Sequence, residues 1–141
     1  MLQQTQVITV IPYFKKFIKT FPSVLRLADA TEDQVMSHWS GLGFYSRARN
    51  LHKSAKIIVD QYKGIIPKRL DDLMALPGIG RSTAGAILSL SCIEPRPILD
   101  GNVKRVLSRY FKIEEDLSKS SAQKELWQLA EDLLPKSNFN I

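Results

Sequence analysis

The 141 residues carry 20 Lys and Arg against 14 Asp and Glu, a formal net charge of +6, and 44% of them are hydrophobic. That length holds about one domain with a buried core, and the charge favours polyanionic partners such as nucleic acid or an acidic membrane surface. A single cysteine, Cys92, excludes an internal disulfide and a self-contained cysteine cluster, and without a spanning-length apolar run or signal-peptide order an intracellular, soluble protein is expected.

Apolar residues recur at helical spacing along almost the whole chain. Val7, Val10, Ile11, Phe14, Phe17, Ile18 and Phe21 form one stripe with Lys15, Lys16 and Lys19 on the wet side, which predicts an amphipathic helix over 4–20. Pro12 should bend it or shift its start. Thr31 followed by Gln34 is a capping-box pattern, predicting a short helix through Val35, Met36 and Trp39 that stops at Gly41. Leu51, Ala55, Ile58 and Tyr62 line a longer helix ended by Gly64. Pro67 can open the next short helix, with Leu70, Leu73 and Met74 inward, up to the Pro77-Gly78 break. Further helices are expected over 82–91, 102–110 and 120–134. No stretch alternates as a strand requires, so the fold class is all-α. Both ends read as cut, since MLQQTQV starts inside a helical pattern and NFNI stops where another helix could begin.

The segment LPGIGRSTA, from Leu76, raises the first chemical question. Gly78 and Gly80 permit backbone conformations closed to other residues and leave the turn without side chains. The turn amides, with the free amides opening the next helix, suit a phosphate oxygen. A Walker loop does not fit, because its Lys-Ser/Thr pair is missing and a helix rather than a strand precedes the glycines. A plain helix-turn-helix corner remains the competing reading. Asp100, in PILDGNVKR, is either an N-cap or a carboxylate facing a substrate, and one residue can do both.

Four ordered motifs decide between these readings: MLQQTQV at 1–7, WSGLGFYSRARNLH at 39–52, LPGIGRSTAGAILSLS at 76–91 and PILDGNVKRVL at 97–107. Over nearly its whole length the chain resembles the helix-hairpin-helix DNA glycosylases, in particular the adenine-specific MutY type. The resemblance implies a partial helix-hairpin-helix glycosylase domain over 1–141. Its hairpin at about 76–81 would grip the DNA backbone, through Leu76, Gly78, Ile79, Gly80, Arg81, Ser82 and Thr83, with Asn102, Lys104, Arg47 and Arg49 as further DNA contacts. It implies that Asp100 is catalytic, stabilising the positive charge that builds on the sugar as the N-glycosidic bond of adenine breaks.

The departing purine also needs an acid, which the family takes from a glutamate just before the MLQQT motif; that position has no counterpart here. Impaired excision by residues 1–141 alone is therefore expected, and a non-catalytic helix-hairpin-helix DNA-binding fragment is the alternative. Ser82 stands where the related endonuclease III-like lyases carry a lysine. A hydroxyl cannot form a Schiff base, so the resemblance implies a monofunctional glycosylase. Lys104 could trap an aldehyde but more simply contacts phosphate.

The resemblance further places Gln4 in the base stack and Leu2, Thr5 and Val7 beside the adenine pocket. Leu42, Phe44 and Tyr45 belong to the loop that approaches and wedges the bases. Phe44 departs from the usual tyrosine, keeping the flat ring and losing the hydroxyl. His52 and Lys53 fit a structural or phosphate-facing helix side. The family's 4Fe-4S cluster and its C-terminal 8-oxoguanine recognition domain are expected in a longer parent and have no counterpart in these residues. The implied partner is duplex DNA with an adenine mispair, the implied state a monomer without membrane attachment, and the implied location the bacterial cytoplasm at the nucleoid.

Overall fold

The computed structural model describes residues 1–2 and 5–135. Among these the chain is helical throughout, without strands: α1 Val7–Thr20, α2 Val24–Asp29, α3 Glu32–Trp39, α4 Tyr45–Tyr62, α5 Leu70–Met74, α6 Arg81–Leu90, α7 Gly101–Tyr110 and α8 Ser120–Asp132. No helix among them is long and apolar enough to cross a membrane. The chain divides into two compact units, Met1–Pro67 with Leu76–Gly78, and Lys68–Ala75 with Ile79–Ile141.

In the first unit α1 starts at Val7, the first residue of its apolar stripe and later than the expected 4–20 bound, and carries Pro12 inside it. Proline has no N–H, so the Ile8 carbonyl loses its partner four residues on. Phe17 meets Phe21 at 4.9 Å between ring centroids and Trp39 edge-on at 6.2 Å. Around these rings Val10, Leu27, Val35, Leu42, Ala48 and Ala55 close the core. The expected capping box opens α3, with the Gln34 amide donating to Thr31 Oγ1 at 3.2 Å and the Thr31 amide donating to Gln34 Oε1 at 3.0 Å.

Sequence periodicity missed α2, whose Ser23 hydroxyl accepts from the Arg26 amide at 3.2 Å. Six residues are too few to show a 3.6-residue period. The helix α4 is longer than its apolar stripe and ends as Lys63 and Gly64 turn left-handed, with the Gly64 amide donating to the Ile58 carbonyl at 2.9 Å. Its Leu51 is 40% exposed instead of inward.

In the second unit α5 packs on α6 and α7 on α8. Leu99, Leu107, Leu126 and Ala130 form the core of the α7–α8 part. Only Leu73 of α5 is fully buried, while Met74 is 42% exposed; a helix of five residues has one turn and points one side chain fully inward.

The connection from α6 to α7 is held against α6 by two hydroxyls. Ser89 Oγ accepts from the Arg96 amide at 2.8 Å and donates to the Arg96 carbonyl at 3.0 Å, and Ser82 Oγ accepts from the Leu99 amide at 2.7 Å. Between them lies Gly85, where an added Cβ would stand 2.5 Å from the Pro97 carbonyl oxygen. The small residues of RSTAGAILSL thus form a track for an incoming backbone.

Candidate nucleic-acid interface

At the glycine turn the two glycines play different parts. Gly78 adopts φ +77°, and an added Cβ would meet Asn50 Nδ2 at 2.8 Å, so both conformation and space require glycine. Gly80 does not need its conformational freedom: it is the N-cap of α6 at φ −88°, a region open to any residue, and an added Cβ would meet open space. Having no side chain, Gly80 gives α6 no capping oxygen and leaves the amides of its first turn without a side-chain acceptor. An exposed, uncapped helix start of this kind attracts an anion. Ser54 Oγ steadies the approach to the turn by donating to the Pro77 carbonyl at 3.1 Å.

The hairpin side chains are disposed unequally. Leu76 is buried at 3% exposure, so its side chain serves packing. Ile79, Ser82 and Thr83 are half-buried, and Arg81 is exposed with its guanidinium 4.0 Å from the centre of the Trp127 ring. That stack, which sequence reasoning did not foresee, holds a cation at the first turn of α6.

Asp100 is exposed and caps α7. Its Oδ1 accepts from the amides of Asn102 at 3.0 Å and Val103 at 2.8 Å. Oδ2 has no hydrogen-bond partner among the described residues. The cap sets the direction of the carboxylate, and the Ser82 bond to the Leu99 amide anchors the residue just before it. Ser82 is thus committed as an acceptor. Asn102 Oδ1 accepts from Arg105 Nη2 at 2.8 Å, and Lys104 is half-buried in the first turn of α7.

In the first unit Phe44, the N-cap of α4, and Tyr45, its first residue, are 51% and 42% exposed, while Leu42 points into the core at 8%. Arg47 lies over the Phe44 ring at 4.4 Å from its centre. Arg49 pairs with Glu32 at 3.1 Å, both half exposed, a geometry of small energetic weight. His52 is buried, its Nε2 lying 2.9 Å from the Ala30 carbonyl oxygen; it has a structural place inside the unit, whereas Lys53 is exposed. Leu2 and Val7 are 57% and 61% exposed and line a groove of 530 Å³ along α1 with Ile11, Phe14 and Leu51. Thr5 is half-buried, its amide donating to the Leu2 carbonyl at 3.3 Å, and Gln4 lies outside the described residues.

Metal chemistry finds no donor set here. Among the described residues no group of His, Cys, Asp and Glu could hold a metal ion, and one cysteine cannot supply the four thiolates of a 4Fe-4S cluster.

Comparison with known proteins agrees with this geometry. The chain is 54% identical over 138 residues to an adenine DNA glycosylase of Buchnera aphidicola subsp. Acyrthosiphon pisum, covering 98% of this chain and 39% of that protein. It is 43% identical over 135 residues to an adenine DNA glycosylase of Rattus norvegicus, covering 95% of this chain and 26% of that protein. The chain therefore spans well under half the length of these relatives.

Among solved structures, a thermostable thymine-DNA glycosylase superposes with TM-score 0.82 at 25% identity, over 95% of this chain and 62% of that one. A trapped endonuclease III–DNA covalent intermediate superposes with TM-score 0.81 at 25% identity, over 96% and 62%. The profile of the HhH-GPD superfamily base excision DNA repair proteins matches residues 1–132, and with the glycine turn, the α6 amides and the capped aspartate in place, the chain belongs to that family.

Proposed function

We propose that this chain is the DNA-gripping and sugar-facing part of a monofunctional adenine DNA glycosylase acting on adenine opposite 8-oxoguanine or guanine. The observation that carries this reading is the tie between Ser82 and the Leu99 amide at 2.7 Å. It joins the open N-terminus of α6, which receives a phosphate, to the aspartate that faces the sugar. The relatives' names supply adenine as the base.

In this reading the α6 amides and Arg81 hold one phosphate and Lys104 adds charge within the same unit, while Arg49 is a phosphate contact of the first unit. Arg47 steadies the Phe44 ring that fills the space of the extruded base. With Oδ1 engaged by two amides, Asp100 keeps Oδ2 towards the anomeric carbon. There the carboxylate stabilises the positive charge that grows as the C–N bond breaks, or bonds to that carbon until water displaces it. Adenine leaves with the bonding electron pair after a proton reaches its ring. In this reading no residue of 1–141 is assigned as the donor of that proton. Ser82 offers no amine, and hydrolysis ends at an abasic site without strand cleavage. A 4Fe-4S cluster would need its four thiolates from outside residues 1–141.

Single-turnover release of adenine from a duplex with adenine opposite 8-oxoguanine tests the proposal in the full-length protein. Asp100→Asn should slow release about 10²- to 10³-fold with duplex affinity little changed. Borohydride should trap no covalent complex. Tight binding without release in the unaltered protein would show a DNA-binding module instead, and efficient trapping would show a lyase.

A further inference from the structure

The loop that carries Phe44 is held in an uncommon backbone shape. Gly41, Gly43 and Phe44 have φ of +97°, +70° and +51°, and a positive φ is costly for a phenylalanine. Free in solution, such a segment would relax, and an exposed ring on a relaxed loop loses part of its stacking energy to ordering. Something must keep the ring placed.

The structure assigns that task to Trp39. Its indole Nε1 donates to the Gly43 carbonyl at 3.0 Å, one residue before Phe44. The indole itself is 3% exposed and meets the Phe17 ring edge-on at 6.2 Å. The loop is thus tied to the core by the single polar atom of a core side chain. The amide of Leu42 donates to the Trp39 carbonyl at 3.1 Å, closing the same turn from its other side. At Gly41 an added Cβ would collide with the Tyr13 hydroxyl, so the turn passes close to α1 there. Phe44 is the product of this bracing, half exposed and covered on one face by the Arg47 guanidinium. Trp39 is therefore a positioning residue for the wedge: it touches no DNA and acts through the Gly43 carbonyl on the depth and angle of the Phe44 ring.

The inference rests on the reading of Phe44 as the residue that enters the base stack. Trp39→Phe keeps a core ring and removes the donor. The full-length protein would be mixed with a duplex carrying 2-aminopurine beside an adenine–guanine mispair. The fluorescence rise on unstacking reports insertion, anisotropy of a labelled duplex reports total binding, and thermal melting reports folding.

Trp39→Phe should weaken insertion about fivefold, the size expected for one hydrogen bond, with anisotropy nearly unchanged. In a Phe44→Ala background it should have no further effect on insertion. Unaltered insertion in Trp39→Phe would overturn the inference, as would an equal loss in both backgrounds, which would mark a general packing role. In the free protein the Trp39 indole N–H, identified by its loss in Trp39→Phe, should exchange slowly with solvent. A slow indole N–H in a protein that gives no fluorescence rise at all would overturn the DNA reading and the wedge with it. Rapid exchange in a protein that inserts normally would overturn the role of Trp39 alone.

Discussion

At Asp100 an observed cap and the proposed chemical role fall on one side chain. Its two amide bonds make it a helix cap, and two substitutions separate the roles. Asp100→Asn retains a good capping oxygen, so its melting temperature should stay near that of the unaltered protein while adenine release falls. Asp100→Ala should show the same loss of release together with about 1 kcal/mol of destabilisation measured by chemical denaturation. Equal stability of the two variants would mean that the cap contributes nothing. Ser82→Ala, which leaves the Leu99 amide without its partner, should cost about 1–3 kcal/mol because Leu99 is buried at 4% exposure.

At the scale of elements, the determinants are a turn and a track. Gly78→Ala forces a side chain into φ +77° and against Asn50, at a cost of about 1–3 kcal/mol. It should also weaken duplex binding measured by anisotropy, since the turn sets the amides that meet phosphate. Gly80→Ala is the contrast, because its conformation is ordinary and the space beside it is open; stability should change by less than about 0.5 kcal/mol, and any loss of DNA affinity would then report close backbone approach. Gly85→Ala presses on the Pro97 carbonyl, which cannot swing aside like a flexible side chain, and about 1–3 kcal/mol of destabilisation is expected. A melting curve identical to that of the unaltered protein would refute the close packing of connection on helix.

For the molecule as a whole, the net charge of +6 becomes a statement about DNA affinity. The logarithm of the association constant should fall linearly with the logarithm of salt concentration, with a slope of about −0.9 for each phosphate contact. Arg81→Ala should reduce that slope by about 1, with little dependence on base sequence. A slope unaffected by this change would leave the Arg81 guanidinium a partner of Trp127 alone. Along α1, Ile8 is 77% and Phe14 52% exposed.

Much of this was legible in the residues themselves. The capping box of Thr31 and Gln34, the glycine after Pro77 and the aspartate before Gly101 are local signals, because each bond closes within a few residues and depends on side-chain type. The six-residue α2 was illegible to periodicity, being shorter than two turns of a 3.6-residue period, and so was the left-handed Phe44, since nothing in its side chain prefers that conformation. Leu42 and Leu76 belong by sequence to exposed motifs, yet both side chains are buried; a motif records which residues travel together and not which way each one points.

By itself the sequence determined an all-helical chain, a phosphate-suited glycine turn, a carboxylate at a helix start and the family to which they belong. Tertiary structure alone decided that the Ser82 hydroxyl, 17 residues away in sequence, accepts from the Leu99 amide and that Gly85 seats the backbone at Pro97. The physical reason is range: a cap or a turn is satisfied by neighbours in the chain, whereas a buried donor finds its acceptor only after packing has brought distant segments together.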